Sequence, residues 1–573
     1  MCGIIAYKGN RNASGLVLAG LKKLEYRGYD SWGIAFNKTK LNLIKEIGTI
    51  NNTIIPTSNI AIGHTRWATH GKVNKTNAHP HLDCSETIAI VHNGIIENYQ
   101  ELKKELIVKS HKFKSDTDSE VIVHLIEEYY KNNDLITAIK LTTNKLIGSY
   151  ALVILNENQL IAIKKESPLI IGKSNHGFFI ASDIQSFLKH TNKIIYLEDG
   201  EIAIINDDLK IIKGDKEIKK KIKKLNLNPE ESEKGEYIHF MLKEIFEQND
   251  TIKKSIKDEK KIKELANEIN NYLKIFFLGC GTAYYAGLTA SYIFSDISKK
   301  QIITILGSEF NLYENFIDEN TLIIPISQSG ETADVLEPIK IAKNKGAKIF
   351  SIINSISSSL ERISDNYILI NAGPEIAVAS TKAFTSQLSL LSLTAFTCIN
   401  QFEEGKNKLI DITKKTKEIL NEDFINEINK LSKKILTNNL FIIGKSSNYP
   451  IALESALKIK ELSYIHAEGF ASGELKHGTL ALIEKGTPCL VIYSNNKTIL
   501  NNAWEIKSRG GYIVGISPKY NEVFDYWIKI PNGGKLSPIL NVIPSQLLAY
   551  YFAINKNLNP DRPRNLAKSV TVK

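Results

Sequence analysis

The chain has 573 residues, 43% hydrophobic and 24% charged, with a formal net charge of +11. That length exceeds what one hydrophobic core serves, so several domains are expected, and the composition excludes a largely disordered chain. The positive excess is spread through Lys-, Ile- and Asn-rich sequence, with no basic stretch interleaved with aromatics, so a nucleic-acid partner is not expected; a modest positive field suits a small anionic substrate.

The chain opens MCGIIAYKGN. If Met1 is trimmed, Cys2 carries a nucleophilic thiol and a free α-amine, a possible general base, on one residue; by position alone it could equally be a small buried hydrophobe. From 2 to 212 short β-like runs dominate (GIIAY, WGIAFN, IAIGHTRWA, ETIAIVHNG, SYALVILN, QLIAIKK, FFIASD, EIAIIND), with helical patterns at 98–109 and 118–132. Strands with few crossover helices predict antiparallel pairing in a layered α+β domain. Residues 213–239 are charged and read as a linker, or as a solvated edge strand running into one.

From about 240 compact apolar strands alternate with helical stretches, the βαβ rhythm of a parallel sheet covered on both faces. The rhythm recurs: LFIIGKSSNYP (440–450) resembles IFFLGCGTAYY (275–285), and Gly279 and Gly444, like Gly346 and Gly511, are 165 residues apart. Two similar doubly wound α/β domains are expected at 240–400 and 401–559, followed by a tail at 560–573. The apolar run LSLLSLTAFTCI (388–399) is too short to span a bilayer and reads as a buried helix, so no membrane association is expected. The five cysteines are scattered and form no C-x-x-C, which argues against a disulfide framework or a zinc ribbon; no metal is expected, and the compartment should be reducing. The N-terminal apolar run turns polar at Lys8-Gly9-Asn10-Arg11, unlike a signal peptide, and a cytoplasmic protein is expected.

Polar clusters punctuate these strands. Asn93-Gly94, at the end of a strand, could supply a side-chain amide and a backbone N–H to an oxyanion. Arg66 suits a carboxylate and Asp118 an ammonium, together a pocket for an amino acid. ISQSGET (326–332) follows a strand and precedes a helix, where exposed N–H groups favour an anion; the plainer reading is a Ser- and Thr-rich N-cap. GCGTAYYAG (279–287) does not satisfy the dinucleotide-binding pattern, because Tyr284 stands where the third glycine belongs, so no nicotinamide cofactor is expected. By sequence alone Lys458 and Glu461 form a surface ion pair on one helix face. Likewise Trp67 is a core aromatic, His477 a loop histidine and Lys568 a solvated tail lysine.

The set MCGI, YRGYDSWG, HTRWATHG, HNGIIEN and TDSE resembles the class II glutamine amidotransferases of the N-terminal-nucleophile hydrolase type. The resemblance implies that Cys2 attacks the glutamine side-chain amide, that Asn93 and Gly94 stabilise the oxyanion, that Arg66 and Asp118 hold the α-carboxylate and α-amine, and that Trp67 belongs to a mobile loop gating ammonia passage. The second half resembles paired sugar isomerase (SIS) domains. With ALKIKELSYIHAEGFASGELKHGTLALI (456–483) and PRNLAKSVTVK (563–573), the whole chain is similar to the glutamine–fructose-6-phosphate aminotransferases (isomerising), the glucosamine-6-phosphate synthases. This implies phosphate binding by Ser327, Gln328, Ser329 and Thr332 with Thr282 nearby, and a sugar site lined by Val378 and Ala379. It further implies proton transfer between C1 and C2 by Glu461, ring opening by His477 from a partner subunit, a Schiff base at Lys568, and Lys458 near the reacting end. L-Glutamine and D-fructose 6-phosphate would be the substrates, a homodimer the assembly, and no cofactor would be needed.

Two positions depart from the family pattern. Ala283 replaces a serine after the first glycine loop, and Thr479 replaces the proline of GELKHGP. Three other readings are weighed: a phosphoribosyl-transferring amidotransferase, which the α/β repeat opposes; an uncoupled glutaminase; and a sugar-phosphate sensor with a decayed site.

Overall fold

The structure is a computed structural model that describes residues 2–51, 53–225, 233–356 and 358–571. They form two compact units. One runs from the N-terminus to Glu233 and includes the tail from Ala567; the other is Lys234–Leu566.

In the first unit every strand pairing is antiparallel. An eight-stranded sheet has Gly3–Gly9 paired with Ile60–Arg66 on one side and Gly177–Ala181 on the other; a seven-stranded sheet pairs Ile88–Ile96 with Gly148–Asn156. Strand side chains alternate between faces, and here both faces are buried. Ala89, Val91, Ala151 and Val153 meet Ile4, Ala6, Ala35 and Ile62 of the other sheet. Ile88, Ile90, Leu152 and Ile154 turn the opposite way, onto the helices Tyr99–Val108, Glu120–Tyr130 and Leu135–Lys145. That is why these strands read as continuous apolar runs. The helix Ala13–Leu24 covers the outer face of the first sheet, so close that a Cβ on Gly63 would lie 2.5 Å from Val17. The result is the layered α+β arrangement expected of an N-terminal-nucleophile fold. The helices Ala13–Leu24 and Leu135–Lys145 are additions to the two helical patterns expected. The charged stretch after 212 partly joins the sheets: Lys216–Glu217 pairs with Leu209–Lys213, and Lys223–Lys224 with Lys193–Tyr196.

The second unit holds two five-stranded parallel sheets. In spatial order the first is Ile303–Leu306, Lys274–Gly279, Thr321–Ser327, Lys348–Ile353 and Asn366–Leu369. The second is His466–Ala471, Asn439–Gly444, Pro488–Ile492, Tyr512–Ser517 and Tyr526–Lys529. Both follow the order 2-1-3-4-5, the doubly wound topology whose ligand crevice lies at the carboxyl ends of strands 1 and 3. The two sheets share one hydrophobic core, so they are halves of a single unit. The helix Lys382–Thr397 is buried along its whole length. Its hydroxyls at Ser389, Ser392, Thr394 and Thr397 bond to carbonyls four residues back, which lets Ser and Thr sit inside the core. Among the described residues no helix is long and apolar enough to cross a membrane.

Candidate active sites

Pairing of Gly3 with Thr65 sets the first site. In an antiparallel register the residue before Gly3 must lie beside those after Thr65. The Trp67 N–H accordingly donates to Cys2 Sγ at 3.2 Å, and the thiol faces the Trp67 carbonyl at 3.5 Å. Burial pushes the Cys2 thiol up, which keeps it protonated and requires a base for attack. The Asn93 amide donates to the Cys2 carbonyl at 3.0 Å, so a side-chain donor stands within one residue of the sulfur. Gly94 follows at φ +134; a Cβ there would lie 2.0 Å from the Ser149 carbonyl, so only glycine fits.

Sequence reasoning gave no role to His64, although it lies inside the quoted HTRWATHG. Burial pushes its ring down to about 3, so it is neutral. Its Nε2 lies 3.0 Å from the His92 carbonyl and 3.1 Å from Asn93 Oδ1. Two acceptors require the hydrogen on Nε2. His64 thereby holds the amide oxygen and turns the amide NH2 toward Cys2. Arg27 was likewise unassigned: its Nε donates to the Cys2 carbonyl at 3.4 Å, while Asp183 anchors its guanidinium at 3.0 Å.

Arg66 is buried, and its guanidinium donates to the carbonyls of His70, Gly71 (3.2 Å) and Lys72 (3.3 Å), tying down that turn. Asp118 accepts from the Ile96 N–H at 2.8 Å, which fixes it beside the strand bearing Asn93 and Gly94; its other oxygen is 4.0 Å from His70 Nδ1. The Trp67 ring is only partly buried and meets Tyr29 edge-on at 5.6 Å, so it is not a core aromatic.

In the second unit the loops after strands 1 and 3 of the first sheet carry Thr282 and residues 327–332. Ser327 Oγ accepts from the Gly330 N–H at 3.0 Å and Ser329 Oγ from the Glu331 N–H at 3.2 Å. The Gln328 carbonyl accepts from Asn354 and Ser355, both at 3.2 Å. Thr332 occupies the N-cap position of the helix Ala333–Asn344, yet its side chain makes no capping bond, so a simple N-cap does not account for the motif. Val378 and Ala379 are buried, and the Val378 N–H donates to the Asp561 carbonyl at 3.2 Å. The loop is wired by two carboxylates not singled out from sequence. Glu244 accepts from the Ala377 N–H at 3.2 Å, and Glu375 accepts from Thr381 and Ala383 at 2.9 and 3.0 Å.

The helix Tyr449–Ser463 packs beside these loops. Lys458 donates to Glu461 at 2.5 Å and lies 3.7 Å from Glu454, which accepts from Thr282 Oγ1 at 3.2 Å. Lys458 is only 1% exposed, which overturns the surface-pair reading. Burial alone would lower the lysine pKa, but the charge of Glu461, in direct contact, outweighs it and holds the ammonium. Burial pushes Glu454 up to about 8, so it is protonated at neutral pH. His477 is exposed at the end of the 3-10 helix Ser472–His477. Lys568 is partly buried in the tail that belongs to the first unit.

Residues 35–235 match the glutamine amidotransferase domain family, and residues 268–396 and 435–556 match the SIS domain family. Glutamine–fructose-6-phosphate aminotransferase (isomerizing) from Pyrococcus horikoshii is 45% identical over 605 aligned residues, covering 100% of both chains. This chain belongs to that family. The proteins of the same name from Thermococcus kodakarensis and Methanococcus maripaludis are each 43% identical, again over 100% of both chains. Among solved structures, the C-terminal domain of the aminotransferase from Francisella tularensis is 35% identical with a TM-score of 0.52, covering 58% of this chain and 99% of that one. The family pairs a glutamine amidotransferase domain with SIS domains, the division seen here between antiparallel and parallel sheets.

Proposed function

We propose that the protein converts L-glutamine and D-fructose 6-phosphate to L-glutamate and D-glucosamine 6-phosphate. The observation that carries this reading is the Glu454–Lys458–Glu461 cluster around the buried Lys458, joined through Thr282 to the loop after the first strand of the first parallel sheet. In this reading that loop belongs to the phosphosugar crevice, and the cluster supplies acid–base groups beside it.

With Met1 removed, the Cys2 amine takes the thiol proton as sulfur attacks the glutamine amide carbon. The Asn93 amide and the Gly94 N–H stabilise the oxyanion, ammonia leaves, and water hydrolyses the thioester. Arg66 and Asp118 hold the α-carboxylate and α-amine, and the Trp67 loop gates ammonia. The phosphate sits on Ser327, Gln328, Ser329 and Thr332. His477, supplied across a homodimer, opens the ring, and Lys568 forms an imine with the C2 carbonyl, releasing water. Ammonia displaces the lysine, and Glu461 takes a proton from C1 and returns one to C2, with Lys458 holding its carboxylate. A cytoplasmic setting suits these metabolites.

The test is a paired product assay on Met1-trimmed protein. Equal glutamate and glucosamine 6-phosphate are expected. Glutamate without amino sugar overturns the synthase reading in favour of a glutaminase, and neither product favours a sensor.

A further inference from the structure

We propose that Cys84, His111, His124 and Glu127 hold one divalent transition-metal ion, zinc by preference, in a structural site of the first unit. The residues come from three separate segments. Cys84 lies in the turn between His81–Leu82 and Ile88–Ile96, His111 in the loop after Tyr99–Val108, and His124 and Glu127 three apart on Glu120–Tyr130. Their ligand atoms all lie within 4.8 Å of one another.

Both imidazoles present Nδ1 to the same point. Cys84 Sγ is 3.8 Å from His111 Nδ1 and 3.6 Å from His124 Nδ1, and Glu127 Oε2 is 2.9 and 3.2 Å from the same two nitrogens. A tetrahedral ion with Zn–S of about 2.3 Å and Zn–N of about 2.0–2.1 Å places sulfur and nitrogen about 3.5 Å apart. The sulfur–nitrogen distances fit, and the half-buried Glu127 needs to swing out by a few tenths of an ångström.

The outer ring nitrogens supply the second argument. His111 Nε2 is 3.1 Å from Glu128 Oε2, and His124 Nε2 faces Glu120 Oε1 at 3.7 Å. Glu120 is itself fixed by the N–H groups of Lys114 and Ser115, at 2.8 and 2.6 Å. A carboxylate behind each histidine is the arrangement that orients metal-binding imidazoles. With hydrogens on the Nε2 atoms, both Nδ1 lone pairs, a carboxylate oxygen and a sulfur converge, and a cation is what reconciles four electron-pair donors. A thiolate with two imidazoles and one carboxylate suits zinc over magnesium or calcium. Four protein ligands leave no open position, the mark of a structural site. The ion would staple both ends of the segment 111–124, which contains Asp118.

Chelator-treated, desalted full-length protein would be titrated with Co2+ under reducing conditions. One Co2+ per chain is expected, with the absorption of a tetrahedral ion and a thiolate charge-transfer band, both displaced by one equivalent of Zn2+. Zn2+ alone should raise the unfolding midpoint. Cys84→Ser, at an exposed position, should lose the charge-transfer band, and Glu128→Gln should weaken Zn2+ binding about 10- to 100-fold. Absence of a tetrahedral spectrum in the wild type, or an unchanged spectrum in Cys84→Ser, overturns the proposal and leaves a metal-free cluster of histidines and carboxylates.

Discussion

The two halves of the second unit share a strand order but place their candidate chemistry differently. In the first half it lies in the loops at Thr282 and 327–332; in the second it lies on the helix Tyr449–Ser463. At the 165-residue spacing Glu454, Lys458 and Glu461 correspond to Thr289, Ile293 and Asp296. Ile293 is buried in the core, and Asp296 is a surface ion-pair partner of Lys535 at 3.1 Å. Conversely Ser329 corresponds to Ser494, whose hydroxyl accepts from Asn448 and Asn541, both at 3.0 Å. The second half keeps a cleft of about 200 Å3 near Lys445, Ser446 and Ser494, but its polar atoms are partly spent on each other. On the proposed function, one scaffold supplies a binding loop in one copy and acid–base groups in the other, and the Thr282–Glu454 hydrogen bond links the two copies.

The sharpest way to break this comparison is a matched pair on the equivalent helices. Lys458→Met strands a charge beside Glu454 and Glu461 and should cost about 3–5 kcal/mol of stability, with loss of amino-sugar formation. Ile293→Val, its counterpart, should cost about 0.5–1.5 kcal/mol with activity kept. Denaturant midpoints and product assays separate the two.

Glu454 offers a pH test. Its folded pKa is raised to about 8, so between the ordinary carboxylate range and pH 8 the folded state holds a proton that the unfolded state has released. Stability should therefore fall as pH rises through that window. Glu454→Gln should lack that part of the decline, and an equally steep decline in the variant would remove Glu454 as its source.

The loops can be compared in the same way. Ser329→Ala should raise KM for fructose 6-phosphate about 10- to 100-fold, the loss of a hydrogen bond to a charged group. Ser494→Ala should leave that KM unchanged and destabilise by about 1 kcal/mol. Smallest is Ala283→Ser. A restored neutral hydroxyl contact, worth about 0.5–1.5 kcal/mol, should lower the KM about 2- to 10-fold; an unchanged or higher KM would mean that Ala283 faces no substrate.

Local pattern and spacing were enough for much of this molecule. Short strands with few crossover helices announced the antiparallel unit, the 165-residue recurrence announced the paired parallel sheets, and the motifs around Cys2, Arg66, Asn93 and Asp118 marked one candidate site. What sequence could not carry was burial and long-range pairing. Lys458 and Glu461 look like a surface pair because helix spacing says nothing about which face is covered; neighbours on other helices make it an interior charge cluster with Glu454. His64 acquires its role only because register sets it against Asn93. The edge strands at 216–217 and 223–224 depend on partners elsewhere in the chain. Cys84, His111, His124 and Glu127 form no recognisable spacing motif, since a turn, a loop and a helix must fold together before their donor atoms meet. Sequence by itself determined most of the elements and the candidate nucleophile; tertiary structure decided which charges are buried and which distant side chains share a point, because desolvation and convergence arise only once the chain has packed.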